Sequence, residues 1–172
     1  RYMLRRTARL ALEVERDYAE YAFHRGYRRL ADFCSVELSA FYLDVLKDRL
    51  YTAAARSQAR RSAQTVLYHG LHTLVRLFAP ILTFTSEEVW QNMRAGGLVE
   101  GNESPADSVH LQTYVDVGAW LEGEEAGETE RWQMLLAWRE EALKALEAAR
   151  QAKQIGTGLE AQLRRQGHAS LV

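Results

Sequence analysis

Cysteine is almost missing from this chain of 172 residues. Cys34 stands alone, which excludes an internal disulfide and any cysteine-rich zinc site within these residues, and it reads as a buried core thiol rather than a nucleophile. No apolar run approaches the ~20 residues that span a bilayer, and no charged-then-apolar leader opens the chain. These absences point to the cytosol. The chain starts at Arg1 rather than Met and is read as a piece of a longer protein. Catalytic signatures are missing too: there is no Gly-rich phosphate loop, no GxSxG and no HExxH. Of five histidines only His69 and His72 are close in sequence, and with no carboxylate or thiol beside them they read as core or surface residues rather than metal ligands.

What is present is helical composition with an uneven charge. From Arg1 to Pro80 there are 14 Lys and Arg against 8 Asp and Glu, a balance of +6; the remainder has 8 against 15, or −7. The basic half is where a polyanion would bind. Arg1 to Tyr18 places Tyr2, Leu4, Ala8, Leu10, Ala11 and Val14 among charged residues with no Gly or Pro, an amphipathic helix. A second runs from Asp17 or Glu20 toward Cys34 and is weakened by Gly26, a residue that would let another helix approach closely. In LSAFYLDVLKDRLY, Leu38 to Tyr51, the residues Leu38, Phe41, Tyr42, Val45, Leu46 and Leu50 form one stripe at helical spacing. Asp44 lies one turn before Lys47 and Asp48, so an ion-pair network is expected there, not a catalytic carboxylate pair.

Ser57 is placed to cap a fourth helix with Ala63, Leu67, Gly70, Leu71, Leu74, Leu77 and Phe78 on its apolar side. Arg60, Arg61, Gln64, Tyr68, His72 and Arg76 fall on the other side, and Pro80 ends or kinks the helix. Thr85 with Glu88 fits a capping box and Phe84 with Val89 a hydrophobic staple, so a short helix is expected from Ser86 to about Met93, anchored by Trp90. Arg94 to Ser108 reads as a surface loop, Val109 to Val117 as a short extended segment, Trp120 and Leu121 as one helical turn, and Glu122 to Glu130 as an acidic linker. A last helix, Glu128 to Gln154, has Trp132, Leu135, Leu136, Leu143, Leu146 and Ala149 as its apolar side and stops at Gly156 and Gly158.

Three blocks carry a family likeness: LSAFYLDVLKDRLY, then RRSAQTVLYH from Arg60 to His69, then APILTFTSEEVW from Ala79 to Trp90. In this order and spacing they resemble the anticodon-binding region of isoleucyl-tRNA synthetases, a subgroup of the class I synthetases. The likeness covers about Tyr2 to Trp90, fades after Met93 and returns from Arg131 to Leu163. It implies an all-α bundle of five or six helices over residues 1–123, with 124–172 forming a long helix and the start of a following module. It implies as partners the anticodon arm of isoleucine tRNA and the rest of a synthetase chain, in a monomeric cytoplasmic ligase. Such an intact enzyme uses ATP to attach isoleucine to tRNA and contains zinc. The nucleotide-binding signatures HIGH and KMSKS, and the CxxC pairs of the family's terminal zinc module, do not occur here, so no catalytic residue, metal or cofactor is assigned to this piece and it is expected to be inactive alone.

By residue chemistry, RNA loops are gripped by cations on phosphates and by aromatic or guanidinium surfaces under unstacked bases. Arg56, Arg60 and Arg61 gather at the start of the fourth helix, where the dipole favours phosphate, and Gln64 one turn on is suited to read a base edge. Lys47, Arg49 and Tyr51 form a second tier, since Asp44 and Asp48 compete for the two cations. Two other readings stay open: a helical protein-interaction scaffold with incidental arginines, and the same region of a valyl or leucyl synthetase.

Overall fold

In the computed structural model, which describes residues 1–99, 108–123, 126–157 and 160–162, the first helix, α1, runs Tyr2–Ala19. Met3, Thr7, Leu10, Ala11 and Val14 repeat at helical spacing and are buried, but so are Arg5, Ala8 and Asp17. The helix is therefore covered on more than one side. It ends in a Schellman turn: the Ala22 N–H donates to the Asp17 carbonyl at 2.8 Å and the Tyr21 N–H to that of Tyr18 at 3.0 Å. Tyr21 takes φ 57° there, a conformation in which glycine is the usual occupant.

The chain reverses into α2, Phe23–Asp32, antiparallel to α1. Buried Asp17 accepts from Arg29 at 2.8 Å and pairs with Arg25 at 3.2 Å; Arg29 also reaches Glu13 at 2.7 Å, and Arg6 pairs with Glu37 at 2.5 Å. Gly26 is the close approach: a Cβ there would stand 2.8 Å from Cε1 of Tyr18. Instead of stopping near Cys34, the helix continues as a π-helix over Phe33–Leu43 and returns to α-geometry in α3, Asp44–Tyr51. Asp32 and Leu43, at the two junctions, keep helical dihedrals, so one rod spans 23–51.

The wider π turn, with N–H groups bonding five residues back, resets the apolar stripe. Buried Phe33 is followed by Leu38 and Tyr42, partly buried against the core, and by Leu46, 1% exposed. The steps are five, four and four. The expected stripe at ordinary helical spacing fails at Val45, which is 51% exposed. Cys34 is half-buried against this core, and burial pushes its thiol pKa up, as suits a packing residue.

Ser57 caps α4, Gln58–Phe78, accepting from the Arg60 N–H at 3.3 Å, and the helix stops before Pro80 as expected. Leu74 and Leu77 join Met3, Leu10, Val14, Leu30 and Phe33 in the main core. The opposite side of α4 is not a solvated face. Val75 and Ala79 pack there with Trp90, Met93 and Val109 in a second core, His72 is 9% exposed, and the Arg76 guanidinium lies 4.9 Å over the Trp90 ring.

α5 runs Thr83–Ala95, three residues earlier and two later than the capping-box reading requires, with no side-chain cap at Leu82. Thr85 lies inside the helix, and Phe84, 89% exposed, staples nothing. The Ser86 N–H is satisfied by the Leu82 carbonyl at 2.8 Å, which leaves no need for a side-chain cap at Thr85. Trp90 is the anchor expected, 1% exposed. Glu87 ties the returning chain down through the Ser108 Oγ and Val109 N–H, at 2.8 and 2.9 Å. Residues 109–111 form a 3₁₀ turn where the expected extended segment begins, Gln112 after it has extended dihedrals, and Gly118–Leu121 is a short helix, α6. Among the described residues there is no strand, and no helix is long and apolar enough to cross a membrane.

The chain divides into two compact units, Arg1–Glu122 and Gly123–Val172. The second contains α7, Glu128–Gln151, none of whose residues is buried. It ends at a Schellman turn with Lys153 at φ 55°, before Gly156 is reached. Most of the loop expected over 94–108, part of the acidic linker, Gly158 and the final ten residues lie outside the described residues.

Candidate nucleic-acid interface

The sequence-nominated residues lie on the last turn of α3, the connection after it and the first two turns of α4. α3 and α4 pack on each other, with Leu46 and Ala63 buried, 1% and 3% exposed. The connection, residues 52–57, is held at both ends. The Thr52 Oγ1 donates to the Asp48 carbonyl at 2.5 Å and the Ser57 N–H to that of Ala54 at 2.9 Å. Arg60 bridges it, donating from its guanidinium to the Ala53 carbonyl at 3.1 Å. Arg60 is thus half-buried and partly structural. Arg56, Arg61 and Gln64 are exposed, as are Lys47, Arg49 and Tyr51, the last at 81%.

Charge supports the same place. Lys47 is bonded to Asp44 at 2.8 Å, the ion pair expected from spacing, and this hydrogen bond raises its pKa. Arg49, Arg56 and Arg61 meet no acidic partner among the described residues. Burial raises the Tyr42 pKa, with the nearby Arg49 charge acting against that rise. Arg56, just before the cap, and Arg61, in the first turn, thus flank along the chain a helix N-terminus whose Gln58 and Ala59 amides are the free N–H groups of its first turn. An oxyanion is the natural ligand of such an arrangement.

Along α4 the face carrying Arg61 continues through Gln64, Thr65, Tyr68 and His72, three or four residues apart. Sequence reasoning grouped Arg60, Arg61, Gln64, Tyr68, His72 and Arg76 on one side; the structure splits them. His72 is fixed: its Nε2 donates to the Leu98 carbonyl at 2.7 Å and its Nδ1 accepts from Arg76 at 3.2 Å, which sets the neutral Nε2–H tautomer and leaves no nitrogen for a metal. His69 stands against Trp120, ring centroids 5.3 Å apart. Among the described residues no three His, Cys, Asp or Glu side chains converge on a metal site. Tyr68, half-buried and 4.3 Å from the His72 ring, borders an open groove beside Gln64. Sequence reasoning placed Tyr68 on this side of α4 but gave it no role, because the groove's far wall, Leu98, comes from another helix's C-terminal turn.

Residues 1–165 match the family model described as the anticodon-binding domain of tRNA ligase. The chain is 49% identical over 163 residues to the isoleucine–tRNA ligase of Azoarcus sp. strain BH72, covering 95% of this chain and 16% of that protein. It is 47% identical over 164 residues to that of Nitrosomonas europaea, 94% and 16% covered, and 44% identical over 163 residues to that of Bordetella pertussis strain Tohama I, 95% and 17% covered. The chain thus spans about a sixth of the length of the curated relatives it matches.

Proposed function

Because the chain belongs to the family of anticodon-binding domains of tRNA ligases, we propose that it binds the anticodon arm of isoleucine tRNA as part of an isoleucine–tRNA ligase. The observation that carries the reading is the set of exposed guanidiniums of Arg49, Arg56 and Arg61, with no acidic partner among the described residues, on the segment that runs from the end of α3 into the first turn of α4, with Tyr51 and Gln64 exposed on the same segment. Arginine there holds phosphate; the exposed ring is a stacking surface for an unpaired base. Arg60 contributes by holding the connection in shape, and Lys47 adds charge reduced by Asp44. The identities of 44 to 49% to isoleucine–tRNA ligases support the isoleucine member over the valyl and leucyl ones.

Residues 1–123 act as the RNA-binding bundle, and 124–172 lead toward a further module. In the whole ligase, a monomer of the cytoplasm, isoleucine is activated with ATP and passed to tRNA by a domain outside this chain. The residues present fit neither ATP nor zinc. The sequence has no HIGH or KMSKS motif and one cysteine, and no metal-ligating cluster forms among the described residues.

The test is equilibrium binding of the 172-residue chain to the anticodon stem-loop of isoleucine tRNA and to stem-loops carrying other anticodons, with ATP–pyrophosphate exchange measured in parallel. Preferential binding of the isoleucine stem-loop without exchange activity is expected. Equal, weak binding to every stem-loop contradicts the assignment, and so does adenylate formation by this piece alone.

A further inference from the structure

The groove beside Gln64 has no role in the reading so far. It is open, about 680 Å³ in volume, and bordered by Gln64, Thr65, Tyr68, His69, Leu71 and Leu98. Its walls are fixed from two helices. α5 ends in a Schellman turn, with the Leu98 N–H donating to the Met93 carbonyl at 2.8 Å, the Gly97 N–H to that of Arg94 at 3.0 Å, and Gly97 at φ 68°. The buried His72 then clamps Leu98 against α4. Tyr68 is held on the other wall, its ring 4.3 Å from that of His72 and 5.4 Å from that of His69. The arrangement is a rigid π-surface between two aliphatic side chains, with an exposed amide and hydroxyl at one edge.

We propose that this groove takes a single unstacked nucleobase. The occupant follows from what adjoins the groove. Arg61, with no acidic partner among the described residues, lies on the same face of α4 seven residues before Tyr68, about 10 Å along the axis at 1.5 Å per residue. A chain held there by a phosphate reaches the groove with its neighbouring base. Every base has a face to stack on Tyr68, while the Gln64 amide, donor and acceptor both, is suited to a Watson–Crick edge. Leu71, 38% exposed, and Leu98, 43% exposed, are apolar surfaces that such a base covers. The inference rests on the RNA-binding reading and adds Tyr68 to it as the stacking surface, with Gln64 as the specificity-determining position.

The probe is the anticodon stem-loop of isoleucine tRNA carrying 2-aminopurine at each loop position in turn, whose fluorescence is quenched on stacking. One position is expected to quench on binding. Tyr68→Leu relieves the quenching there and weakens binding roughly 5- to 150-fold while the dependence of affinity on salt is unchanged; Tyr68→Phe keeps both quenching and affinity. Gln64→Ala, at an exposed position that folding does not depend on, abolishes discrimination at that one base. RNA binding with full salt dependence, but with quenching and base preference indifferent to both Tyr68→Leu and Gln64→Ala, overturns the groove and leaves the RNA-binding reading standing. Failure of the unsubstituted chain to bind RNA overturns both.

Discussion

Replacing Tyr18 with phenylalanine removes one oxygen, and the structure fixes what that oxygen does. Its hydroxyl donates to the Leu77 carbonyl at 2.8 Å, joining the end of α1 to the last turn of α4. Leu77 is 1% exposed, and its carbonyl is one of the four that a helix C-terminus leaves without an internal partner. Without Tyr18 that acceptor stays buried and unmade. The cost is therefore set by an orphaned group rather than by the net value of an ordinary hydrogen bond, and is about 1 to 3 kcal/mol. The ring is retained, so its contact with Phe23, centroids 5.4 Å apart, and its place against Gly26 should survive. Urea unfolding followed by circular dichroism should show a lower midpoint with an unchanged slope.

A second reading comes from pH. Burial, with the Tyr114 phenol as the lesser cause, pushes the Tyr18 pKa up to about 12. Its neutral form is thus favoured in the folded state. This contribution is complete below the unfolded value of about 10 and is lost as pH rises through the folded value. Burial also raises Tyr2, Tyr42 and Tyr114, so the alkaline loss in Tyr18→Phe should be shallower than in the parent rather than absent. A variant as stable as the parent, with the same alkaline loss, would refute the reasoning.

Two glycines should respond in opposite directions to alanine. Gly26→Ala should destabilise by roughly 1 to 2 kcal/mol, because the clash with Tyr18 at 2.8 Å outweighs the gain in helix propensity; Gly70→Ala, whose Cβ meets nothing within 4 Å, should stabilise by about 0.5 to 1 kcal/mol, both read by thermal unfolding. Tyr21→Gly should be neutral or stabilising by up to about 1 kcal/mol, since glycine accepts φ 57° without strain and Tyr21 is 83% exposed; a clear loss of stability would show that the ring packs. For Glu87, burial works to raise the pKa, but hydrogen bonds from Gln91, Ser108 and the Val109 N–H together hold it below the ordinary range. The stability it supplies is present above about pH 4.3, the unfolded value, and is lost as pH falls through the lower folded one. Glu87→Gln should then show a smaller loss on acidification in pH-dependent urea titrations.

The helical class, the Ser57 cap, the stop before Pro80 and the Trp90 anchor were legible because each follows from local chemistry. The stripe from Leu38 to Leu50 was legible in part: Leu46 is buried and Leu38, Phe41, Tyr42 and Leu50 are half-buried, while Val45 is exposed, because periodicity assumes one turn size and the π segment changes it. That the side of α4 carrying His72 and Arg76 packs into a second core was hidden for another reason. A helix covered on two sides has no single polar face, and a histidine bonded to a carbonyl 26 residues away leaves no trace in spacing. The capping box at Thr85 had the right letters in the wrong place, one turn inside a helix begun by backbone bonds. At the interface, clustering of the arginines could be read from their positions around Ser57. The division of labour between Arg60, bonded to Ala53, and the exposed Arg56 and Arg61 depended on the path of the connection.

The central claim is that the cations at the α4 N-terminus hold RNA phosphates, and salt tests it most directly. Affinity for the isoleucine anticodon stem-loop should be measured at several salt concentrations for the parent chain and for the Arg56→Ala, Arg61→Ala double variant, which spares the bond between Arg60 and Ala53. Each phosphate contact adds roughly 0.7 to 0.9 to the slope of log affinity against log salt. If both guanidiniums hold phosphates, the slope should shrink by about 1.4 to 1.8 while the helical signal is unchanged; an unaltered slope in a folded variant places the RNA on another face.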